Sequence, residues 1–485
     1  MGHEEHGGTW HMDAAQLDTQ RKKGEAILKT SSTVYSTNRS SSSTRPAKLQ
    51  LDRAEKSKSN PKNNRITKIK KRDGTWAETE ESIEKVATDY FQNLFTSSQP
   101  ENFEEVLRYV TAKVTPSIND ALTCKPSKEE ITSAIKDINP DKAPGPDGMT
   151  SLFYQKFWDV TANEIICMVN DFFENEALDP RLNQTNISLI PKTERPRDMT
   201  EFRPISLCNV SYKIISKILS KKLKRYLPKL ISETQSAFVA RRLITDNILI
   251  AQEAFHALRT NPSCKSKYVA IKTDMSKAYD RVEWSFLEAL MLKMGFNDKW
   301  VSWIRVCISS VSYQVLINGE AKGHISPSRG LRQGDPLSPF LFIILTEALV
   351  GLIQGAEEEG RIQGLKIARN CPVISHLLYA DDSLFFCKAD IQQCTKLMRI
   401  IEVYDEASGQ LLNAAKSSIF FGNKVPMDTR TELKRTLGIN QEGGMGMYLG
   451  LPEKICGSKD KFMVSQVSVK RWQGSSHKIS GPSSS

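Results

Sequence analysis

The chain has 485 residues, 39% of them hydrophobic and 25% charged, which is ordinary for a globular protein of about two to four domains and identifies no function. Lys and Arg number 67 against 56 Asp and Glu, and the formal net charge of +11 favours a polyanionic partner such as nucleic acid, with a merely basic soluble protein as the alternative. The nine cysteines include no C-x-x-C pair, which argues against a disulfide or zinc framework and indicates the reduced thiols of an intracellular protein.

Two segments precede the first motif. Residues 1–60 are rich in Ser, Thr, Lys and Asn, have little apolar periodicity and lack a secretory signal, so we predict that they are disordered. Residues 61–170 contain apolar positions at helical spacing within 82–95 and again within 128–138, which predicts a helical connector. The first of these helices is expected to carry its apolar face at Ile83, Val86, Tyr90 and Leu94.

The next part of the chain mixes strand and helix patterns. Ile187 to Ile190 predicts a short strand, and 211–230 predicts a strongly basic helix whose lysines face phosphate or solvent. The apolar run from Tyr268 ends at Asp274, which predicts a strand that delivers an acid to the edge of a sheet. Apolar residues at helical spacing follow and Gly295 is a stop signal, so we expect a helix to begin at once after the acid.

Two further elements are predicted beyond residue 310. Asn318-Gly319 lies between two strand-like runs and is the strongest short-range signal for a hairpin. Asp335 is an acid suited to N-capping and precedes Pro336, so a helix should begin there. The apolar residues that follow surround that helix almost entirely and are interrupted by Glu347, which predicts a buried core helix too short to span a membrane.

The segment 373–387, V-I-S-H-L-L-Y-A-D-D-S-L-F-F-C, predicts a hairpin with Asp381 and Asp382 at its turn. Two ionised carboxylates beside a core are costly unless a cation compensates them, although a solvated Asp-Asp turn is the alternative. With Asp274 on a neighbouring strand, three carboxylates can hold two Mg²⁺ ions, or Mn²⁺, that bridge an attacking hydroxyl and a leaving phosphate. The chemistry predicted by this set is nucleotidyl transfer.

Three blocks of sequence resemble motifs of a known family. They are D-M-S-K-A-Y-D-R-V-E-W at 274–284, R-Q-G-D-P-L-S-P at 332–339 and Y-A-D-D at 379–382, and they resemble motifs A, B and C of reverse transcriptases. Supporting blocks occur in the family's order, among them K-A-P-G-P-D-G-M at 142–149, L-I-P-K at 189–192, F-R-P-I-S-L-C-N at 202–209 and Y-L-G-L-P at 448–452. More narrowly, the chain resembles the polymerases of plant-like non-LTR (LINE-type) retrotransposons, from about residue 64 to residue 452.

The resemblance implies roles for individual residues. Asp274, Asp381 and Asp382 would be metal ligands, with the carbonyl of Met275. Lys192 and Arg203 would lie near the incoming triphosphate, with an ordinary surface pair as the alternative. Tyr279 looks like the steric gate against a ribose 2′-hydroxyl, with a core aromatic as the alternative. The remaining implied roles are an approach to the templating base pair for Gln333 and Gly334, general acid to pyrophosphate for Lys416, and primer grip for Tyr448, Leu449 and Gly450.

The resemblance also implies an architecture. It is an α+β, right-hand polymerase fold with fingers and palm, in which an antiparallel palm sheet packs on helices and the thumb is largely absent. Residues 171–453 would form the reverse transcriptase domain and 454–485 an irregular polar tail, in an element truncated at both ends. The implied function is that of an RNA-directed DNA polymerase acting on an RNA template, a DNA primer and deoxynucleoside triphosphates.

The sequence also leads to expectations about the protein's location and leaves two alternative functions open. We expect a protein without membrane association, in the nucleus or cytoplasm, with the nucleus favoured. Two alternatives remain open. One is an inactive relic that retains nucleic-acid binding, and the other is an intron maturase, which shares Y-A-D-D but carries a basic helical domain after the palm.

Overall fold

The computed structural model describes residues 65–368, 371–443, 447–449 and 451–452. The predicted N-terminal segment 1–60, the tail 454–485 and Gly450 lie outside the described residues. The helices of the described part are α1 Glu80–Leu94, α2 Glu104–Leu107, α3 Pro116–Thr123, α4 Lys128–Lys136, α5 Ser151–Lys156, α6 Trp158–Asn175, α7 Val210–Lys224, α8 Leu227–Leu230, α9 Ile244–Thr260, α10 Trp284–Lys293, α11 Asp298–Ser309, α12 Ser338–Glu358, α13 Ile391–Ser408 and α14 Met427–Leu437.

The strands form two larger sheets and three short pairs. The strands are β1 Ile69–Lys70, β2 Trp76–Ala77, β3 Gln184–Pro191, β4 Phe202–Cys208, β5 Tyr268–Thr273, β6 Ser312–Ile317, β7 Glu320–Ile325, β8 Leu365–Lys366, β9 Val373–Ile374, β10 His376–Tyr379, β11 Asp382–Lys388, β12 Ser418–Phe421, β13 Met447–Tyr448 and β14 Leu451–Pro452. The short pairs are β1-β2, β8-β9 and β13-β14.

The palm sheet has the strand order β10-β11-β5-β12, and every pair in it is antiparallel. The fingers sheet has the order β4-β3-β6-β7, in which β3 and β6 are parallel and the other pairs are antiparallel. Helices and sheets together give the α+β polymerase-like fold that was expected, with an antiparallel palm sheet. The β6-β7 turn is the predicted hairpin at Asn318-Gly319, whose φ values of 54° and 98° suit a two-residue hairpin turn.

Helix α12 is the core helix of this fold. It begins at Ser338 with Leu337 as its N-cap residue, so the prediction that Asp335 caps a helix starting at Pro336 is wrong. Its 21 residues are long and apolar enough to cross a membrane by length and composition, which corrects the expectation that the stretch is too short. Of its most apolar window, 83% is buried inside the protein, as expected of a core helix.

The face that helix α1 turns to the core is shifted from the one predicted, with Ile83 common to both. Thr79 and Ser82 form a capping box at its start, and the fully buried positions are Ile83, Ala87 and Phe91. The predicted positions Val86, Tyr90 and Leu94 are only partly buried, at the flanks of this face. The buried face shares a core with the fingers sheet, so α1 contributes to the fingers layer.

Two other local predictions need correction. In α7, Lys213 and Lys222 are buried, and Lys222 donates to the backbone carbonyl of Cys124, so these two lysines do not face phosphate or solvent, whereas Lys224 is exposed as predicted. A helix does not follow Asp274 at once, because α10 begins only at Trp284 and a 3₁₀ turn at Tyr279–Arg281 comes first. The intervening backbone bonds to other segments instead, with the Ser276 N–H donating to the carbonyl of Leu411.

Candidate active site

The predicted hairpin carries Asp381 at its turn. Strands β10 and β11 are in register from His376 opposite Phe385 to Tyr379 opposite Asp382, so Ala380 and Asp381 form a two-residue turn. Asp382, which was predicted to share the turn with Asp381, is instead the first residue of β11. Ala380 has a φ of 54°, which is strained for a residue with a side chain, and its N–H donates to Oε1 of Gln235 at 3.1 Å. This bond holds the turn in place.

Asp274 lies beside the hairpin because of the sheet register. Ser383 pairs with Thr273, so Asp274 and Asp382 are next in line at the same end of neighbouring strands. Burial and then repulsion from Asp382 and Asp274 raise the pKa of Asp381 to about 6. Burial also raises the pKa of Asp382, as does the charge of Asp274. The structure therefore brings together the three predicted carboxylates.

A turn after α13 holds Asp274 from the opposite side. The side-chain amide of Asn413 donates to Oδ2 of Asp274 at 3.3 Å, and its backbone N–H donates to the carbonyl of the same residue at 2.8 Å. The Asp274 N–H donates to Oγ of Ser417 at 3.3 Å, and Nζ of Lys416 lies 3.9 Å from Oδ2. Sequence reasoning found Lys416 but missed Asn413 and Ser417, because an Asn or Ser in a polar turn carries no signal of its long-range partner.

The carboxylates suit a hard divalent cation in chemistry. Their oxygens are the ligand type that Mg²⁺ and Mn²⁺ prefer, and a cation would relieve the repulsion that raises the pKa of Asp381. Among the described residues, no three Asp, Glu, His or Cys side chains already stand in an arrangement that holds one ion. The Met275 backbone forms an isolated bridge with Leu412. The metal-ligand roles therefore stay predictions.

Cationic side chains gather next to the carboxylates. Burial, followed by repulsion from Lys277, lowers the pKa of Lys192 to about 8, and Lys416 and Arg203 contribute to the same effect. Arg203 also acts on Asp381, whose pKa its charge lowers. Lys277 was not singled out from the sequence, although it lies in the first motif. The predicted pair Lys192 and Arg203 is thus part of a larger cluster of positive charge.

Gln333 and Gly334 lie in a loop that is held by hydrogen bonds to Asp280 and to strand β4. Nε2 of Gln333 donates to Oδ1 of Asp280 at 3.0 Å, and its carbonyl accepts from the N–H of Ser206 in β4 at 2.9 Å. Gly334 has a φ of 112°, and a Cβ there would lie 3.3 Å from the carbonyl oxygen of Ser206. Burial raises the pKa of Asp280 to about 6. The Gln333 amide is therefore held by a buried carboxyl group that the sequence analysis did not identify.

The same loop contains a buried ion pair. Nη2 of Arg332 lies 3.2 Å from Oδ2 of Asp335, and both side chains are almost fully buried. Tyr212 of α7 donates its hydroxyl to Asp335 at 2.6 Å and offers its ring to the Arg332 guanidinium at 3.9 Å from the ring centroid. Ser216 also donates to Asp335. This set, Arg332 with Asp335 and its two hydroxyl donors, is called the loop brace below.

Tyr279 begins the 3₁₀ turn and does not lie on a helix as predicted. Its ring stacks on Phe342 of α12 with centroids 4.7 Å apart and planes 12° apart. Burial raises the pKa of its phenol, and the charge of Asp381 does so too, which places the ring within electrostatic range of the predicted site. The position is compatible with both predicted roles, the gate and the core aromatic.

The predicted primer grip is described only in part. Tyr448 ends β13, which pairs with β14, and Leu449 follows with a φ of 50°. Leu449 packs against an apolar cluster that includes residues of α9 and of the palm sheet. Gly450 lies outside the described residues.

Comparison with known proteins gives the chain a family context. Residues 190–452 match the family described as reverse transcriptase (RNA-dependent DNA polymerase). The "Transposon TX1 uncharacterized 149 kDa protein" of Xenopus laevis is 29% identical over 418 residues, which cover 85% of this chain and 30% of that protein. The "Retrovirus-related Pol polyprotein from type-1 retrotransposable element R2" of Nasonia vitripennis is 30% identical over 241 residues, covering 47% and 22%. A protein of the same name from Popillia japonica is 26% identical over 296 residues, covering 60% and 38%. The aligned part of the chain thus spans between about a fifth and two fifths of the length of these relatives.

Proposed function

We propose that this chain, which belongs to the reverse transcriptase family, is the RNA-directed DNA polymerase of a LINE-type retrotransposon. It would add deoxynucleotides to a primer 3′-hydroxyl on an RNA template. The observation that carries this proposal is the convergence of Asp274, Asp381 and Asp382 at one end of the palm sheet, with raised pKa values for the second and third.

The three aspartates, together with the backbone carbonyl of Met275, would hold two divalent cations. These would be Mg²⁺ or, alternatively, Mn²⁺. Such ions supply activation of the attacking hydroxyl and charge stabilisation at the leaving phosphate. The protein's own contribution is to orient the acids. Asn413 and Ser417 fix Asp274 through three hydrogen bonds, and Gln235 fixes the turn that carries Asp381.

Other residues would act on the substrates. Lys192 and Arg203 would bind the triphosphate, and Lys416 would give a proton to the departing pyrophosphate, because its exposed ammonium lies 3.9 Å from Asp274. Gln333 and Gly334 would face the templating base pair, while Tyr448 to Gly450 would hold the primer. The net charge of +11 supports polyanionic partners, here an RNA template and a DNA primer. The protein would act inside the cell, in the nucleus in preference to the cytoplasm.

Primer extension on an RNA template tests the proposal. The purified chain should extend a DNA primer in Mg²⁺, and Asp381→Asn should lower the rate at least about a hundredfold, because losing a ligand charge removes several kcal/mol of stabilisation. The fold should survive, since the neutral amide relieves repulsion from Asp382. Asp120→Asn, an exposed change in α3, is the control and should extend normally. Extension by the Asp381 variant at the wild-type rate would contradict the proposal, as would a wild-type chain that extends nothing.

A further inference from the structure

His376 is a buried histidine to which the proposed function gives no role. It lies on β10, the strand that leads to Asp381, and its exposed fraction is 2%. Nδ1 of its ring lies 2.9 Å from Oγ of Ser375, and Nε2 lies 2.9 Å from Oγ1 of Thr234. Both ring nitrogens therefore have a hydroxyl partner inside the protein.

The bonds of these hydroxyls determine which ring nitrogen carries the proton. The Ser375 hydroxyl donates to Oε2 of Glu357 at 2.6 Å, so its single proton is used and its oxygen accepts from Nδ1–H of His376. Nε2 then carries no proton and accepts from the hydroxyl of Thr234. Burial lowers the pKa of His376 to about 4, which keeps the ring neutral at neutral pH. His376 is thus the neutral Nδ1–H tautomer.

Thr234 begins the short segment that covers the outer edge of the palm sheet. Strand β10 is the outer strand of that sheet, and Gln235 forms a parallel bridge with Leu378. The carbonyl of Thr234 accepts from the N–H of Leu378 at 2.8 Å, and the N–H of Ser236 donates to the carbonyl of Leu378 at 3.1 Å. Thr234 is therefore bonded to β10 twice, through its backbone and through its hydroxyl to His376.

The residue after Thr234 holds the turn that carries Asp381. Oε1 of Gln235 accepts from the N–H of Ala380 at 3.1 Å and from the N–H of Ala237 at 3.0 Å. Ala380 has a strained backbone and directly precedes Asp381, so the turn needs this bond to keep its shape. A shift of the segment on β10 would move the amide oxygen of Gln235 away from Ala380.

We propose that His376 is a positioning residue for the reaction, which as the neutral Nδ1–H tautomer accepts from Thr234 and thereby keeps Gln235 on the turn of Asp381. The inference rests on the proposed function, and it adds a residue that touches neither the substrates nor the metal ions. Without the Thr234 hydroxyl bond, the segment would be held on β10 by its backbone alone. Losing a partner that orients a metal ligand typically costs about ten- to a hundredfold in activity.

Four variants separate the two sides of the imidazole. His376→Asn keeps a donor near the Nδ1 position and is too short to reach Thr234, whereas His376→Gln carries an amide oxygen near the Nε2 position. Thr234→Val removes the hydroxyl and keeps the branched shape of the side chain, so it tests the same bond without changing the ring. Thr234→Ser keeps the hydroxyl.

Single-nucleotide extension of a DNA primer on an RNA template gives kcat and KM for each variant. His376→Asn and Thr234→Val should each lower kcat about tenfold or more and leave the KM for the deoxynucleotide within about twofold, because the bond orients an acid and binds no substrate. His376→Gln and Thr234→Ser should restore most of the loss. Equal losses in the Asn and Gln variants, or a wild-type kcat in Thr234→Val, would overturn the inference.

Thr185→Val is the matched control. It removes a buried hydroxyl of β3 that donates to the carbonyl of Asn183, so it costs a comparable bond away from the palm sheet. It should retain the wild-type kcat. A loss of kcat in Thr185→Val as large as that in Thr234→Val would overturn the inference, because any buried hydroxyl would then have the same effect.

A second measurement does not depend on activity. Hydrogen exchange detected by mass spectrometry reports on the N–H of Ala380, which loses its acceptor if Gln235 moves. Exchange in the peptide that contains Ala380 should be about fivefold faster or more in Thr234→Val, the effect of losing one hydrogen bond, and unchanged in Thr185→Val. Unchanged exchange in Thr234→Val would overturn the inference even if the chain is a working polymerase. A wild-type chain that extends no primer would contradict the proposed function, whereas faster exchange in Thr234→Val would still support the hold of His376 on the turn.

Discussion

At the scale of single residues, a substitution at Tyr279 can distinguish its two predicted roles, steric gate and core aromatic. If its ring occupies the space of a 2′-hydroxyl, Tyr279→Val removes a clash with the ribonucleotide and keeps the contacts with the deoxynucleotide. The ratio of kcat/KM for deoxy over ribo substrate should then fall about tenfold or more, as measured by single-nucleotide incorporation.

Phe342→Leu serves as the control for this change, since it removes the stacking partner of Tyr279 without removing the phenol ring. It should lower stability and leave the sugar preference in place. A ratio that stays constant in Tyr279→Val while total activity drops would identify Tyr279 as a core aromatic.

Asp405 in α13 offers a prediction about pH. Burial raises its pKa to about 7, above the usual value near 3.8, although its carboxylate accepts from the N–H of Leu412 and is near Arg281. The folded state therefore binds more protons than the unfolded state between about pH 4 and 7, so the stability contributed by this group falls as pH rises through that window. Asp405→Asn should remove this loss, because an amide oxygen can still accept from Leu412.

The measurement is urea denaturation of both proteins at pH 5 and pH 8. We expect the stability of Asp405→Asn relative to wild type to increase by a few kcal/mol between the two pH values, as the size of the pKa change indicates. Asp120→Asn is the exposed control and should follow the wild type at both. A relative stability that does not change with pH would show that Asp405 is ionised throughout.

Residue identities in the site were predictable where a motif carried them. The three aspartates, Lys416 and the Lys192–Arg203 pair were found because short, ordered blocks name them. Asn413, Gln235 and Asp280 were missed because each acts through a partner more than 50 positions away in the chain, on Asp274, Ala380 and Gln333 respectively. A local pattern of residue types carries no information about a partner so far away in the sequence.

At the scale of elements, the loop brace fixes the segment between the fingers sheet and α12. Breaking a buried ion pair by removing one partner leaves an uncompensated charge, which costs about 3–5 kcal/mol. Asp335→Asn should therefore destabilise the protein by that order in urea denaturation, and Arg332→Met by a similar amount.

The double variant Arg332→Met with Asp335→Asn tests whether the cost belongs to the pair. Its destabilisation should be clearly smaller than the sum of the two single changes, since no charge is then left alone in the core. Arg399→Met, in an exposed ion pair of α13, is the control and should change stability by less than about 1 kcal/mol. Additive single effects would mean that the two side chains act independently.

Elements were predictable wherever local chemistry determines them. The Asn318-Gly319 turn and the β10-β11 hairpin follow from turn residues between apolar runs. The start of α12 was missed because Asp335 meets the rule for a cap and does accept from the N–H of Leu337 two residues on, yet the helix itself begins only at Ser338. The delayed start of α10 was missed because residues 274–283 pair with other segments, which periodicity does not reveal.

At the scale of the whole molecule, the net charge of +11 predicts how nucleic acid binds. Affinity for an RNA–DNA hybrid should fall steeply between 50 and 200 mM salt, by roughly a thousandfold or more if about six phosphates are contacted. Fluorescence anisotropy with a labelled hybrid measures this. A hybrid strand with uncharged methylphosphonate linkages is the control and should lose most of the dependence. Binding that does not change with salt would contradict a charge-driven interface.

The parallel pairing of β3 with β6 has a consequence for synthesis of the protein. Gln184 pairs with Ser312, so the ribosome must translate the first palm strand before the fingers sheet can close. Until β6 has emerged, β3 keeps a bare edge, and until β7 has emerged as far as Ile325, the apolar face of α1 is only partly covered. A message that ends between β5 and β7 would yield an aggregation-prone fragment in place of a smaller working polymerase. The reason is that β6 and β7, which complete the fingers sheet, follow the palm strand β5 in the sequence.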